Sequence, residues 1–133
     1  MKISPDRLIY NVKNVCMSIH KEFGLGLLEN AYRQILKIKL LEKGYDVKTE
    51  VPCDIQVDGM TIKSAYRIDM IVNDCLIVEL KTVNKILPVH HRQLATYMTL
   101  AKKEVGLLVN FYCNDLFEEG LRSWNNSQLT HLP

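Results

Sequence analysis

No stretch of the 133-residue chain approaches the roughly 20 apolar residues of a membrane-spanning helix. The opening MKISPDRLIY also lacks the apolar stretch of a secretion signal, so a soluble cytoplasmic protein is the expectation. Cys16, Cys53, Cys75 and Cys113 form no C-x-x-C pair and have no His nearby at zinc-ligand spacing. They read as reduced, mostly buried thiols. With 4 Pro and 6 Gly the chain cannot be collagen-like or of low complexity, and it has no internal repeat and no linker-like stretch. Charge of one sign is scarce as well. A formal net charge of +2 permits a polyanionic partner without demanding one.

What is present suits one globular domain over residues 1–133. Hydrophobic residues at 47% and charged residues at 24% are ordinary for a folded protein, and a chain this long can bury roughly two-thirds of its unfolded surface. Ser4-Pro5-Asp6 reads as a helix start: a capping hydroxyl, a proline in the first turn and an acid at the positive end of the dipole. Leu8, Ile9, Val12, Val15, Cys16, Ile19 and Phe23 recur at helical spacing until Gly24 and Gly26, which predicts a helix over about 5–23. Leu27 to Lys43 reads as a second, well-buried helix ending at Gly44. Residues 45–83 are rich in Val and Ile with turn pairs at Asp58-Gly59 and Asn73-Asp74, and predict an antiparallel meander of three or four strands. Pro88 opens a third helix, and VGLLVNFY at 105–112 reads as a strand buried on both faces. DLFEEGLRSW fits an edge strand or a short helix, and QLTHLP is expected to fray. The order predicts an α/β sandwich with a central mixed sheet.

Within the meander, RIDMIVNDCLIVELK places an Asp, a Glu and a Lys among apolar neighbours. Buried charge is costly unless paired or bound to metal. Glu79 and Lys81, two apart on a strand, share a face. Asp69 joins them only in one register. A two-residue loop at Asn73-Asp74 sets Asp69 against Val78 and scatters the acids. A loop of three residues, or a bulge, sets it opposite Glu79 with Cβ atoms about 5 Å apart. Carboxylates that close repel unless a divalent cation sits between them, and Mg²⁺ takes such hard oxygen ligands together with substrate phosphate oxygens. Lys81 would then serve a water beside the ion or charge developing on phosphorus. A solvated Glu79–Lys81 ion pair, with Asp69 capping a turn or pairing with Arg67, is the structural alternative.

The trio resembles the PD-(D/E)XK nuclease superfamily, in which an Asp at a strand end and an E-x-K on the next strand hold the metal. Ile68 stands where the superfamily name places Pro. Gly26-Leu-Leu-Glu29-Asn-Ala-Tyr32 spells the signature of the GxxExxY protein family, and Gln93 with Tyr97 is similar to the Q-x-x-x-Y motif of RecB-like exonucleases. Positions i and i+4 share a helix face, so Gln93 and Tyr97 reach one place. The resemblance implies a restriction-endonuclease-like fold and a Mg²⁺-dependent nuclease (Mn²⁺ substituting) acting on DNA. It also implies Asp69, Glu79, Glu29 and Leu80 around the metal, Lys81 at the attacking water and Gln93 and Tyr97 in support. Tyr32 is expected to brace the site and Gly26 to supply a close approach or a positive φ where the second helix begins. His90 and His91 open helix three near the site. Lys85, Arg92, Lys102, Lys103, Arg33 and Lys37 are candidates for a backbone track on nucleic acid. So short a chain carries no separate reading module, so sequence specificity would come from a homo-oligomer or from membership of a larger complex. The competing reading is a non-catalytic, nuclease-fold binding subunit of a DNA repair or defence complex.

Overall fold

The computed structural model describes residues 2–132. Helices α1 (Pro5–Phe23) and α2 (Glu29–Glu42) precede strands β1 (Val47–Val57), β2 (Met60–Val72) and β3 (Leu76–Lys81). Helix α3 (Pro88–Ala101) then crosses to β4 (Val105–Asn110), and a short π-helical turn, Leu116–Gly120, leads into β5 (Leu121–Asn125). The strands lie side by side in chain order in one sheet. Only β3 and β4 run parallel, and the other neighbours are antiparallel. This is a mixed sheet flanked by helices, a restriction-endonuclease-like α/β architecture. No helix among the described residues is long and apolar enough to cross a membrane.

Local chemistry accounts for the element ends. Ser4 caps α1 by accepting from the Arg7 amide at 3.2 Å, and Gly24 at φ 77° stops it. Helix α2 starts at Glu29, two residues later than its composition predicts, because Leu28 is extended at ψ 152°. Leu8, Val12, Cys16 and Ile19 of α1 and Tyr32, Leu36 and Leu40 of α2 cover one face of the sheet. Each such Leu or Ile contributes roughly 1.5–3 kcal/mol on burial. The other face carries Ile71, Ile77 and Leu108 under Leu94, Tyr97 and Met98 of α3. Every residue of β4 is buried, as its continuous apolar run predicts.

The tail differs from its reading in part. DLFEEGLRSW supplies both a helical turn and an edge strand, and 126–131 forms a 3-10 helix instead of fraying, with Pro133 outside the described residues. A side chain at Gly120 would overlap the Asn110 carbonyl, so the turn closes only on glycine. All four cysteines are free, but only Cys16 is fully buried. Burial pushes its thiol up to about 12.

Three polar side chains are buried among the described residues: Asn110, His91 and Glu79. Asn110 is satisfied, accepting from the Val83 amide at 3.0 Å and donating to the Val83 carbonyl at 2.9 Å, which ties down the chain after β3. His91 accepts from the Trp124 indole at 2.9 Å, and its pKa is lowered by burial and then by the Arg122 charge. Glu79 lacks such an account, and it lies where β2 and β3 part.

Candidate functional site

Asn73 and Asp74, both in the left-handed region (φ 53° and 52°), turn the chain tightly, and the Cys75 amide donates to the Val72 carbonyl at 3.0 Å. Cys75 is then surplus to the pairing, because the ladder begins at Val72↔Leu76 and continues through Ile71↔Ile77 to Met70↔Val78. One more step sets Asp69 opposite Glu79. The structure therefore takes the register that gathers the acids. There the ladder ends: the Asp69 carboxylate, instead of a backbone carbonyl, accepts the Leu80 amide at 3.0 Å. β2 bends away at this point, where Glu50 adopts φ 51° and drops out of the β1–β2 pairing between Thr49↔Met70 and Val51↔Ile68. Amide and carbonyl of one extended residue project to the same edge, so the Leu80 carbonyl also faces the gap.

Glu79 is 4% exposed. One carboxylate oxygen lies 3.5 Å from the Lys81 ammonium, and the other, Oε1, has no partner. Burial, then the charge of Asp69, raises its pKa well above the carboxylate range, to about 8, with Lys81 only partly offsetting them. Lys81 is fixed from the other side, donating to Gln93 Oε1 at 2.8 Å. Tyr97, one turn along α3, is pushed up to about 12 by burial and by the charges of Glu79 and Asp69. Both members of the Q-x-x-x-Y pair therefore face the gap. Glu29, first residue of α2, has its pKa raised by burial and then by Asp69, against the opposing fields of Lys81 and Arg33. It approaches the same gap from the helix above.

Two contributors were not legible as such. Arg33 lies one turn after Glu29 and reaches inward: Nη1 is 3.4 Å from Asp69 Oδ1, and Nη2 is 2.6 Å from Asn30 Oδ1 and 3.5 Å from Glu50 Oε1. Its Nε is buried without a partner. Arg33 is thus part of the acidic centre and not of a surface track; its i+4 spacing from Glu29 was the available signal. Glu50 arrives through the kink in β1, which periodicity does not forecast. With every group ionised, Glu29, Glu50, Asp69 and Glu79 carry two more charges than Arg33 and Lys81 offset. Among the described residues no three His, Cys, Asp or Glu side chains stand ready as a closed metal cluster. Asp69 is turned to Arg33 and the Leu80 amide. The donor set nevertheless fits a hard divalent cation: oxygen ligands, a deficit of positive charge, and an orphaned buried oxygen on Glu79.

A family model described as the PD-(D/E)XK nuclease superfamily matches residues 6–123. The chain belongs to the PD-(D/E)XK nuclease superfamily. It is also similar to the crystal structure of SSO0001, at 21% identity over 92% of this chain and 70% of that one, with a TM-score of 0.47. No curated protein matches it.

The remaining residues take their places around this acidic gap. Tyr32 does not enter the gap: it is fully buried and stacks on Phe111 at 4.2 Å with the rings 3° from parallel. Its hydroxyl donates to the Gly24 carbonyl and accepts from the Leu27 amide at 3.3 Å. It therefore fixes the loop that sets where α2, and Glu29 with it, begins. Tyr32→Phe is expected to cost about 1–2 kcal/mol by stranding the Gly24 carbonyl, measured as a lower chemical-denaturation midpoint with an unchanged slope. Gly26 does not do what was expected of it: it is not in the left-handed region, and a Cβ there would touch nothing. Gly24 supplies the positive φ instead. His90 lies on the Lys81 side, its pKa lowered by burial and by that charge, with Nδ1 accepting from the Leu87 amide at 2.9 Å. His91 turns away to Trp124. Lys103 pairs with Asp74 at 2.7 Å, at the opposite end of β3 from Lys81, so the basic residues do not form a single track.

Proposed function

We propose that the chain is a divalent-metal-dependent nuclease that hydrolyses phosphodiester bonds, with DNA as its substrate and Mg²⁺ as the physiological ion. The observation that carries this reading is the unpartnered, buried Oε1 of Glu79 beside Asp69, with Lys81 held between Glu79 and Gln93. Asp69, Glu79, Glu29 and the Leu80 carbonyl would hold the ion, Glu29 directly or through water. Once bound, the ion would polarise the scissile phosphate and lower the pKa of a coordinated water.

The protein's own groups do the rest. An ammonium has three N–H donors. Lys81 spends one on Gln93 and turns a second toward Glu79, which leaves the third for the attacking water or a non-bridging phosphate oxygen. Gln93 cannot ionise, so it orients that ammonium without neutralising it. Tyr97 stays a phenol at any working pH, because burial and two neighbouring carboxylates oppose its ionisation. It serves as a hydrogen-bond donor and as a wall that keeps water from the acids. Arg33, already against Asp69, compensates charge on that ligand. Sequence specificity would come from assembly with a second copy or with a larger complex. The test is cleavage of plasmid and linear DNA by the purified chain with Mg²⁺ or Mn²⁺ and none with EDTA. No cleavage under any of these conditions overturns the reading.

One observation favours the alternative of a non-catalytic nuclease-fold subunit in a repair or defence complex: Arg33 already supplies positive charge at Asp69 without a metal. Calorimetry separates the two, since such a subunit takes up no Mn²⁺ in a carboxylate-dependent way while still binding its partner.

A further inference from the structure

Beyond the acidic gap, the parallel pair β3–β4 ends in a cleft of about 510 Å³. In α/β sheets ligands collect outside the carboxyl ends of the strands, and this cleft lies there. Its cations are Lys85 and Arg122, its side-chain amides Asn84 and Asn114, and its aromatic Tyr112, while Asn110, already satisfied by Val83, forms part of the wall. Neither cation has a carboxylate partner among the described residues. The one acid in the lining, Glu119, is occupied by the backbone amides of Asn114 and Asp115 at 3.2 and 3.3 Å. Tyr112 is 44% exposed although it follows the fully buried Phe111. The cleft thus has cations for phosphate, amides for base and sugar edges, and an open ring for stacking. That combination suits single-stranded nucleic acid.

The cleft is coupled to the acidic gap by the chain itself. Lys81 pairs with Asn110 across β3 and β4, and Asn110 holds Val83 by both backbone groups. Asn84 is three steps along the chain from Lys81, a reach of about 10 Å at most. We propose that this cleft binds one or two nucleotides of a single strand beside the scissile phosphate, with Tyr112 stacking on a base and Lys85 and Arg122 on the backbone. The proposal rests on the nuclease reading for its orientation, and a cleft of about 510 Å³ has room for one or two nucleotides, so the substrate it selects is single-stranded or frayed at the site of cutting.

The test is fluorescence anisotropy of a labelled 12-nucleotide oligo(dT) in EDTA, where no cleavage occurs, against a duplex of equal length. Tyr112→Ala should weaken binding about 5- to 100-fold, as loss of one stacked base does, and Tyr112→Phe should restore it. Lys85→Gln should reduce the slope of log affinity against log salt by about 0.7. Lys39→Gln, on a residue paired with Glu22 away from the cleft, should change nothing. Tyr112→Ala binding like the wild type, or a duplex bound more tightly than the single strand, overturns the proposal. The nuclease reading fails separately: Tyr112-dependent binding without metal-dependent cleavage sinks that reading and leaves the cleft, and cleavage without Tyr112 dependence does the reverse.

Discussion

Lys81→Ala is expected to lower the Mg²⁺-supported turnover of DNA cleavage by about 10²–10³-fold, and Glu79→Ala to abolish it. The two losses have different causes. Lys81 sits in a water-poor gap with one N–H on Gln93 and one toward Glu79. There a preorganised charge aimed at the reacting phosphate is worth far more than in water, so its removal acts on turnover more than on KM. Glu79 would supply the oxygen that binds the ion, so its removal takes away the ion as well. Single-turnover assays on both variants, with Tm measured alongside to show that they fold, check this. Cleavage unaffected by either substitution contradicts the assignment of the site.

The second expectation concerns stability without metal and runs opposite to the usual effect of removing a buried residue. Glu79 has a folded-state pKa raised from 4.5 to about 8, so the folded chain holds a proton that the unfolded chain gives up. Its contribution is fully present below about pH 4.5 and is lost as pH climbs toward 8. Each factor of ten in proton affinity is about 1.4 kcal/mol, so the metal-free protein loses on the order of 2–5 kcal/mol across that window from this residue. Glu79→Gln keeps the shape and carries no charge. It should therefore have a higher Tm than the wild type at pH 8–9 in EDTA, by about 5 °C or more, and a flatter profile between pH 5 and 9. Wild type and variant sharing one slope over that window would remove the buried-acid account.

Much of this was legible because short-range rules fixed it. Ser4-Pro5-Asp6 and the spacing of Leu8, Val12, Cys16 and Ile19 specify α1, and the i, i+4 relation of Gln93 and Tyr97 put both on the face of α3 that meets the acids. The decisive register was not fixed by them. Asn73-Asp74 suits a tight two-residue turn, and the turn does form; the extra residue is Cys75, and nothing in its chemistry marks it as the surplus one. Arg33 and Glu50 were missed for a related reason. Arg33 reaches Asp69 from α2, a contact that spacing along the chain does not announce, and Glu50 meets Arg33 through a kink at its own position, Glu being a residue type with no preference for positive φ. Gly26 misled in the opposite sense, since a glycine at a helix start invites a conformational role that Gly24 fills.

In the proposed site, oxygen atoms of Asp69, Glu79, Leu80 and Glu29 converge on one position for a divalent ion. Diffraction from crystals soaked in Mn²⁺, collected at the manganese absorption edge, tests it most directly. The account predicts an anomalous peak within coordination distance of Asp69 and Glu79, with the Leu80 carbonyl beside it and Glu29 reaching it directly or through water. Well-diffracting, Mn²⁺-saturated crystals with no peak in that gap, or with the ion bound elsewhere and Arg33 still closed on Asp69, would contradict it.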